Sequence, residues 1–152
     1  MKIGLEAPDF TLKDSSGEEW SLSGHKGKTI CLLFYPGDNT PVCTKQLCSV
    51  RDNWDDYASS GAVVVGISTD SAESHNQFSA EHGFPFKLLA DPAGEVVSKY
   101  EVGSWVPGKS ARAVVVVDKN GKVAHHRVQS LGIFRPSDEE VLEAIKIANS
   151  GE

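Results

Sequence analysis

Two cysteines five residues apart open the chemistry of this chain. They sit in 35-YPGDNTPVCTKQLC-48, as Cys43 and Cys48, directly after Thr40-Pro41. The gap is neither the C-x-x-C of a thioredoxin-type redox pair nor half of a zinc ribbon. Thr40 is a candidate N-cap and Pro41 a candidate first helical residue, since proline lacks the N–H that goes unpaired there anyway. Cys43 then falls in the first helical turn, where unpaired backbone N–H groups and the positive dipole end favour a thiolate over a thiol. Cys48 lies about 7.5 Å further along and about 140° beyond one full turn. In an intact helix the two Cα atoms are roughly 8–9 Å apart on different faces. A disulfide needs about 4.4–6.8 Å, so the pair can close only if the helix unwinds.

A reactive thiolate needs a partner for its charge. Arg112 immediately precedes the apolar run 113-AVVVVD-118 and is the candidate; a guanidinium stabilises both a thiolate and a developing oxyanion through charge-assisted hydrogen bonds. Cys31 is the opposite case. It lies between Ile30 and Leu32 in an apolar run and reads as a small core hydrophobe.

The elements that must position these groups follow from pattern. Residues 9–23 alternate weakly around Asp14-Ser-Ser-Gly17 and read as a hairpin. The runs 28–36, 62–68, 86–90 and 113–118 read as strands, the first, second and last of them fully buried. Residues 41 to about 59 carry Val42, Leu47, Val50, Trp54, Tyr57 and Ala58 at helical spacing, and Trp54 reads as core. Ser71–His82 reads as a helix closed by Gly83. Asp91-Pro92 is read as an N-cap and N1 pair opening a helix toward Tyr100. Residues 103–110 read as a loop in which Trp105 is either a loop anchor, the reading preferred, or an exposed contact for substrate or partner. Asp118–Gly121 turns the chain into a strand at 122–128. Ser137–Glu140 forms a capping box before a last helix with Val141, Leu142, Ile145 and Ala148 on one face.

Strands alternating with helices imply βαβ units and a partly parallel sheet, with antiparallel pairing in the late hairpin. The fold class expected is α/β, a thioredoxin-like mixed sheet flanked by helices with extra N-terminal strands. A flavodoxin-like sheet is the alternative, less well matched by the hairpin at 113–128. The 152 residues suit one domain. A net charge of −6 speaks against a nucleic-acid partner, and no apolar run is long enough to span a membrane. The N-terminus shows no secretory signal, and three cysteines with no disulfide pattern suit a reducing compartment, so a cytoplasmic location is expected. No metal is expected, because His25, His75, His82, His125 and His126 show no ligand spacing with the cysteines. His125 and His126, adjacent on a strand, must face opposite sides.

The segment Pro36-Gly-Asp-Asn-Thr40-Pro-Val-Cys43 resembles the P-x-x-x-[TS]-x-x-C motif of peroxiredoxins. Its continuation through Cys48 resembles their atypical two-cysteine Q type, also called bacterioferritin comigratory proteins. The similarity runs along nearly the whole chain, through 7-APDFTL-12, 64-VVGIS-68, 86-FKLLAD-91 and 112-RAVVVVD-118. The resemblance implies a peroxidase acting on hydrogen peroxide and organic hydroperoxides. Cys43 would be the attacking thiol and Cys48 the thiol that closes an intramolecular disulfide. Thr40 and Arg112 would orient the peroxide, Pro36 would shield the sulfur, and Val42 and Gln46 would complete the substrate site. A thioredoxin-like dithiol would restore the thiols. No cofactor is implied, and a monomer is expected.

Three features depart from the family pattern. Gln46 stands where the family often has Glu, Val114-Val115 replace its Thr-Phe, and 101–110 is shorter than is common. Two other functions fit the residues on this scaffold: a general thiol–disulfide oxidoreductase, or a binding protein whose Cys43–Cys48 helix unwinds on oxidation to expose Leu47 and Val50.

Overall fold

The computed structural model describes residues 2–104, 109–129 and 138–150. Seven strands form one mixed sheet in the order β2-β1-β5-β4-β3-β6-β7. They are β1 (Thr11–Asp14), β2 (Glu19–Ser21), β3 (Ile30–Phe34), β4 (Val63–Ser68), β5 (Lys87–Ala90), β6 (Arg112–Val117) and β7 (Val123–Gln129). β3, β4 and β5 run parallel, as βαβ crossovers require. β1 and β2 make the N-terminal hairpin and join antiparallel to β5, while β6 runs antiparallel to β3 and forms a hairpin with β7. Turn signals and apolar runs in the sequence place all seven strands to within a residue or two.

Strand alternation divides the interior into two cores. Ile30, Leu32 and Phe34 point to one face with Val65, Ile67, Ala113, Val115 and Val117, beneath Phe10, Trp20 and α4 (Glu95–Lys99). Cys31, Leu33 and Tyr35 point to the other with Val64, Val114 and Val116, beneath α1 (Pro41–Asp52), α3 (Ala72–His82) and α5 (Asp138–Ser150). Both faces are covered, which is why the central strands read as continuous apolar runs. His126 sits opposite Val115 and His125 opposite Val116, so the two histidines face opposite sides.

Three sequence expectations change. The helix expected over 41–59 is two helices, α1 and α2 (Trp54–Ser59), broken at Asn53. The Asn53 side chain donates to the Ser49 carbonyl at 2.9 Å and to Asp138 Oδ2 at 3.2 Å. This local amide bond competes with the helix and turns its axis while the apolar spacing continues. Trp54 still packs as core, stacked on Tyr57 and against Phe86. The helix expected from Pro92 begins three residues later, with Gly94 at its N-cap in the left-handed region at φ 70°. Asp91 still acts as the capping carboxylate, accepting from the Val96 and Val97 amides at 3.1 and 3.0 Å. Asp91-Pro-Ala-Gly94 first closes a turn through Gly94 N–H to the Asp91 carbonyl at 2.9 Å.

The third change is at Thr40. It has the extended backbone of an N-cap, but its side chain accepts no first-turn amide. The hydroxyl instead donates to the Gly37 carbonyl at 3.1 Å. The α3 cap is as expected, with Ser71 accepting from the Ser74 amide and Gly83 closing the helix. The last helix buries Val141, Ala144, Ile145 and Ala148, whereas Ser137 and Trp105, singled out in the sequence, lie outside the described residues.

Gly66 in β4 sits where a side chain does not fit. A Cβ there would lie 2.7 Å from Leu88 Cδ2 and 3.3 Å from Tyr35 Cε1. Gly66→Ala should therefore overpack this core and cost about 1–3 kcal/mol. A lower urea midpoint at unchanged m-value is the expected result.

Candidate active site

The site assembles where β3 ends and β6 begins. Antiparallel pairing sets Phe34 opposite Ala113, so Arg112 enters the sheet beside the exit of β3. Alternation along β6 sends Arg112 to the same face as Val114 and Val116, the face covered by α1. Pro36-Gly-Asp-Asn-Thr40 then turns the chain, with Asn39 in the left-handed region at φ 63°, and α1 starts at Pro41. The buried stripe of α1 is Cys43, Gln46, Leu47 and Val50, spaced i, i+3, i+4 and i+7.

On this stripe, Arg112 Nη1 donates to Cys43 Sγ at 2.9 Å and lies 3.3 Å from Gln46 Oε1. Arg112 is 2% exposed and Cys43 is buried. The Arg112 guanidinium is a charged donor in a water-poor site, and such donors make stronger hydrogen bonds than neutral ones. Gln46 supplies a neutral acceptor to the same nitrogen. Of the other residues singled out in the sequence, Pro36 and Val42 are partly exposed and Thr40 is exposed at the rim. Cys48 is half-buried and turned away from Cys43 toward α3, with its Sγ 3.7 Å from His82 Nδ1.

All three cysteines are free thiols. Burial pushes the Cys31 thiol up to about 12, so it remains protonated and inert at neutral pH. In native protein at pH 8, Cys31 should resist iodoacetamide and become alkylated only on unfolding, as read by peptide mass.

Sequence reasoning missed a second polar cluster beside the first. Asp38 lies in the loop between β3 and α1, with its side chain 2% exposed. It accepts from the Tyr35 hydroxyl at 2.7 Å and the Ser74 hydroxyl at 2.7 Å. His75 Nδ1 lies 2.8 Å from Asp38 Oδ2, and its Nε2 lies 3.0 Å from the Leu89 carbonyl. Both ring nitrogens thus lie within hydrogen-bond reach of an oxygen. Asp70, on the loop after β4, accepts at Oδ2 from the Asp38 amide at 2.8 Å and from the Ser68 hydroxyl at 2.7 Å. One ligand atom each of Asp38, Asp70 and His75 falls within 4.8 Å of the others. Those of Asp38 and Asp70 already accept from protein donors. Residues 38, 70 and 75 come from three segments, so no local spacing marks them. The signals in the chain are one histidine and two aspartates in otherwise ordinary turn and helix-start positions.

Burial alone would raise the Asp38 carboxyl, but the hydrogen bonds from His75, Tyr35 and Ser74 and the His75 charge outweigh it and hold it below the ordinary carboxylate value. A carboxyl held down in the fold stabilises above its unfolded value, and that contribution disappears as pH falls through the folded one. Asp38→Ala should cost about 3–5 kcal/mol at pH 7, since it leaves His75 buried without its partner. It should also flatten the loss of stability below about pH 4. Denaturant titrations across pH measure both.

A mixed sheet with helices on both faces and a redox-capable thiol in the first turn after a central strand defines the thioredoxin-like class. The chain belongs to the AhpC/TSA family, whose pattern it matches over residues 3–126. It is 46% identical over 121 residues to the chloroplastic peroxiredoxin Q of Sedum lineare, covering 79% of this chain and 65% of that protein. It is 38% identical over 131 residues to peroxiredoxin Bcp of Bacillus subtilis (strain 168), covering 81% of this chain and 82% of that one. The chain spans less than two thirds of the Sedum protein and 57% of the corresponding Triticum aestivum protein. The crystal structure of peroxidoxin BcpB from Mycobacterium tuberculosis superposes with a TM-score of 0.88 at 30% identity, over 99% of both chains. The reduced 2-Cys peroxiredoxin of Plasmodium vivax gives 0.86 at 27% identity, over 96% of this chain and 81% of that one.

Proposed function

We propose that this chain is a thiol-dependent peroxidase that reduces hydrogen peroxide and organic hydroperoxides. The observation that carries the reading is the Arg112 guanidinium 2.9 Å from Cys43 Sγ in the first turn of α1. The family and its peroxiredoxin relatives support it.

In the first step the Cys43 thiolate attacks the terminal oxygen of ROOH. The S–O bond forms as the O–O bond breaks, giving Cys43–SOH and RO⁻, which takes a proton to leave as ROH or water. Arg112 stabilises the sulfur before attack and the developing alkoxide during it. Thr40 orients the peroxide, Pro36 shields the sulfur, and Val42 and Gln46 complete the pocket. In the second step Cys48 attacks the Cys43 sulfur and displaces the oxygen as water, forming a Cys43–Cys48 disulfide. A thioredoxin-like dithiol then reduces this disulfide, itself becoming oxidised.

The second step requires α1 to unwind over Cys43–Cys48. The far half of α1 is anchored separately: Asp138 at the start of α5 accepts from the Ser49 hydroxyl and, at 2.6 Å, from Tyr57. Arg51 Nη1 also donates to the His82 carbonyl at 2.6 Å. These ties support unwinding confined to the helix's first turns. An intramolecular disulfide needs no second subunit, and a monomer working in a reducing compartment such as the cytoplasm is part of the proposal.

Intact mass after one equivalent of hydrogen peroxide tests the scheme. Wild type should lose two hydrogens. Cys48→Ser should instead gain one oxygen on Cys43, trappable by a sulfenic-acid reagent. A Cys43 that stays a thiol in both proteins would refute the proposal.

A further inference from the structure

We propose that Asp70 is a positioning residue for the peroxide site, acting through one peptide plane on the Thr40 hydroxyl. The inference rests on the peroxidase reading and on Thr40 contacting the peroxide. The Gly37–Asp38 peptide is bonded at both of its polar ends. Its N–H donates to Asp70 Oδ2 at 2.8 Å, and its carbonyl accepts the Thr40 hydroxyl at 3.1 Å. A trans peptide is planar with N–H and C=O pointing oppositely, so fixing one end aims the other. The carboxylate on the β4–α3 loop therefore sets the direction in which Thr40 must donate.

That direction has a chemical consequence. A threonine hydroxyl has one proton to donate and two lone pairs to accept with. With its proton committed to Gly37, the Thr40 oxygen presents only lone pairs at the exposed rim. It is then a hydrogen-bond acceptor, suited to the O–H of hydrogen peroxide or of a hydroperoxide. Freed from Gly37, the hydroxyl could rotate and offer its proton instead. It would then compete with Arg112 for the peroxide oxygens rather than complement it.

Asp70 is itself held. Its Oδ2 accepts from the Ser68 hydroxyl at 2.7 Å, and its amide donates to Ser68 Oγ at 3.1 Å. Ser68 is buried at the end of β4, so the carboxylate is tied to the sheet. The Asp38 side chain clamps the other side of the same loop to Tyr35, Ser74 and His75. The loop that carries Thr40 is thus fixed to the rigid sheet at the peptide that Thr40 reads. Gly37 packs close by, its Cβ direction 3.6 Å from Asp70 Oδ2 and 3.9 Å from Thr40 Cγ2.

The test compares two reactions of Cys43 followed by stopped flow and mass spectrometry: oxidation by hydrogen peroxide, which needs the oriented pocket, and alkylation by iodoacetamide, which needs only a reactive sulfur. Asp70→Ala should slow peroxide oxidation by about 10- to 100-fold, the scale of a roughly 1 Å misplacement, and leave alkylation within about twofold. Asp70→Asn, which keeps an accepting oxygen, should restore the rate. Asp70→Glu, which keeps the charge but moves it by a methylene, should not. In a Thr40→Val background Asp70→Ala should have no further effect, because the two act in series. Circular dichroism monitors folding; should Asp70→Ala not fold, the Asp70→Asn and Asp70→Glu pair carries the same discrimination. The inference is overturned if Asp70→Glu matches wild type, if a variant slows both reactions alike, or if the losses from Asp70→Ala and Thr40→Val add. If wild-type Cys43 reacts with peroxide no faster than a free cysteine, the peroxidase reading falls first and takes this inference with it.

Discussion

A guanidinium with almost no exposed surface must be paired, and in this protein a cysteine sulfur is among its partners, together with the Gln46 side-chain oxygen. Leaving a buried charge unpaired is among the most costly arrangements a fold can contain. Arg112 is placed by the register of β6 against β3, and Cys43 by the start of α1 after the same strand. The interaction holds only if β6 runs antiparallel to β3, because a parallel strand would bring in its opposite end. The pairing of guanidinium and sulfur is in this sense a consequence of sheet topology. The two-layer cover over Val114 and Val116 keeps water from weakening it.

The same helix serves two opposed demands. Its buried stripe of Cys43, Gln46, Leu47 and Val50 locks the first turn against the sheet and sets the sulfur beside Arg112. Its rotation carries Cys48 away toward His82. The fully wound helix therefore keeps the two sulfurs apart, and only an unwound one could join them. The anchors at Ser49, Arg51 and Asn53 hold the other end of that helix to α5 and α3.

Around this centre, polar groups that look unrelated in the chain form a frame. Asp38, Asp70, His75, Tyr35, Ser68 and Ser74 come from the loop after β3, from β4 and its exit, and from α3. Each donor meets an acceptor, which is the condition for burying such a network without penalty. The Tyr35 phenol illustrates the effect: burial, then the charge and hydrogen bond of Asp38, push it well up, so it stays a donor at any physiological pH. The network ties the loop to the strands and the helix that flank it.

Local pattern was enough for much of this. Apolar runs marked β3, β4 and β6, and Ser71 with Gly83 marked the limits of α3. The Thr-Pro-x-Cys segment marked the start of α1, and the five-residue gap to Cys48 marked the separation of the two sulfurs along it. These features depend on one segment at a time, through backbone sterics, capping and periodicity, and a linear chain displays them. The break at Asn53, the late start of α4 at Glu95 and the turn of the Thr40 hydroxyl toward Gly37 were not displayed, because each is settled by a side chain choosing among nearby partners. Arg112 could be named from the sequence as a candidate partner of Cys43, but the contact itself and the meeting of Asp38, Asp70 and His75 lie further from the reach of local pattern. They join residues 69, 32 and 37 positions apart, and such neighbours exist only once strand order and register bring distant segments side by side.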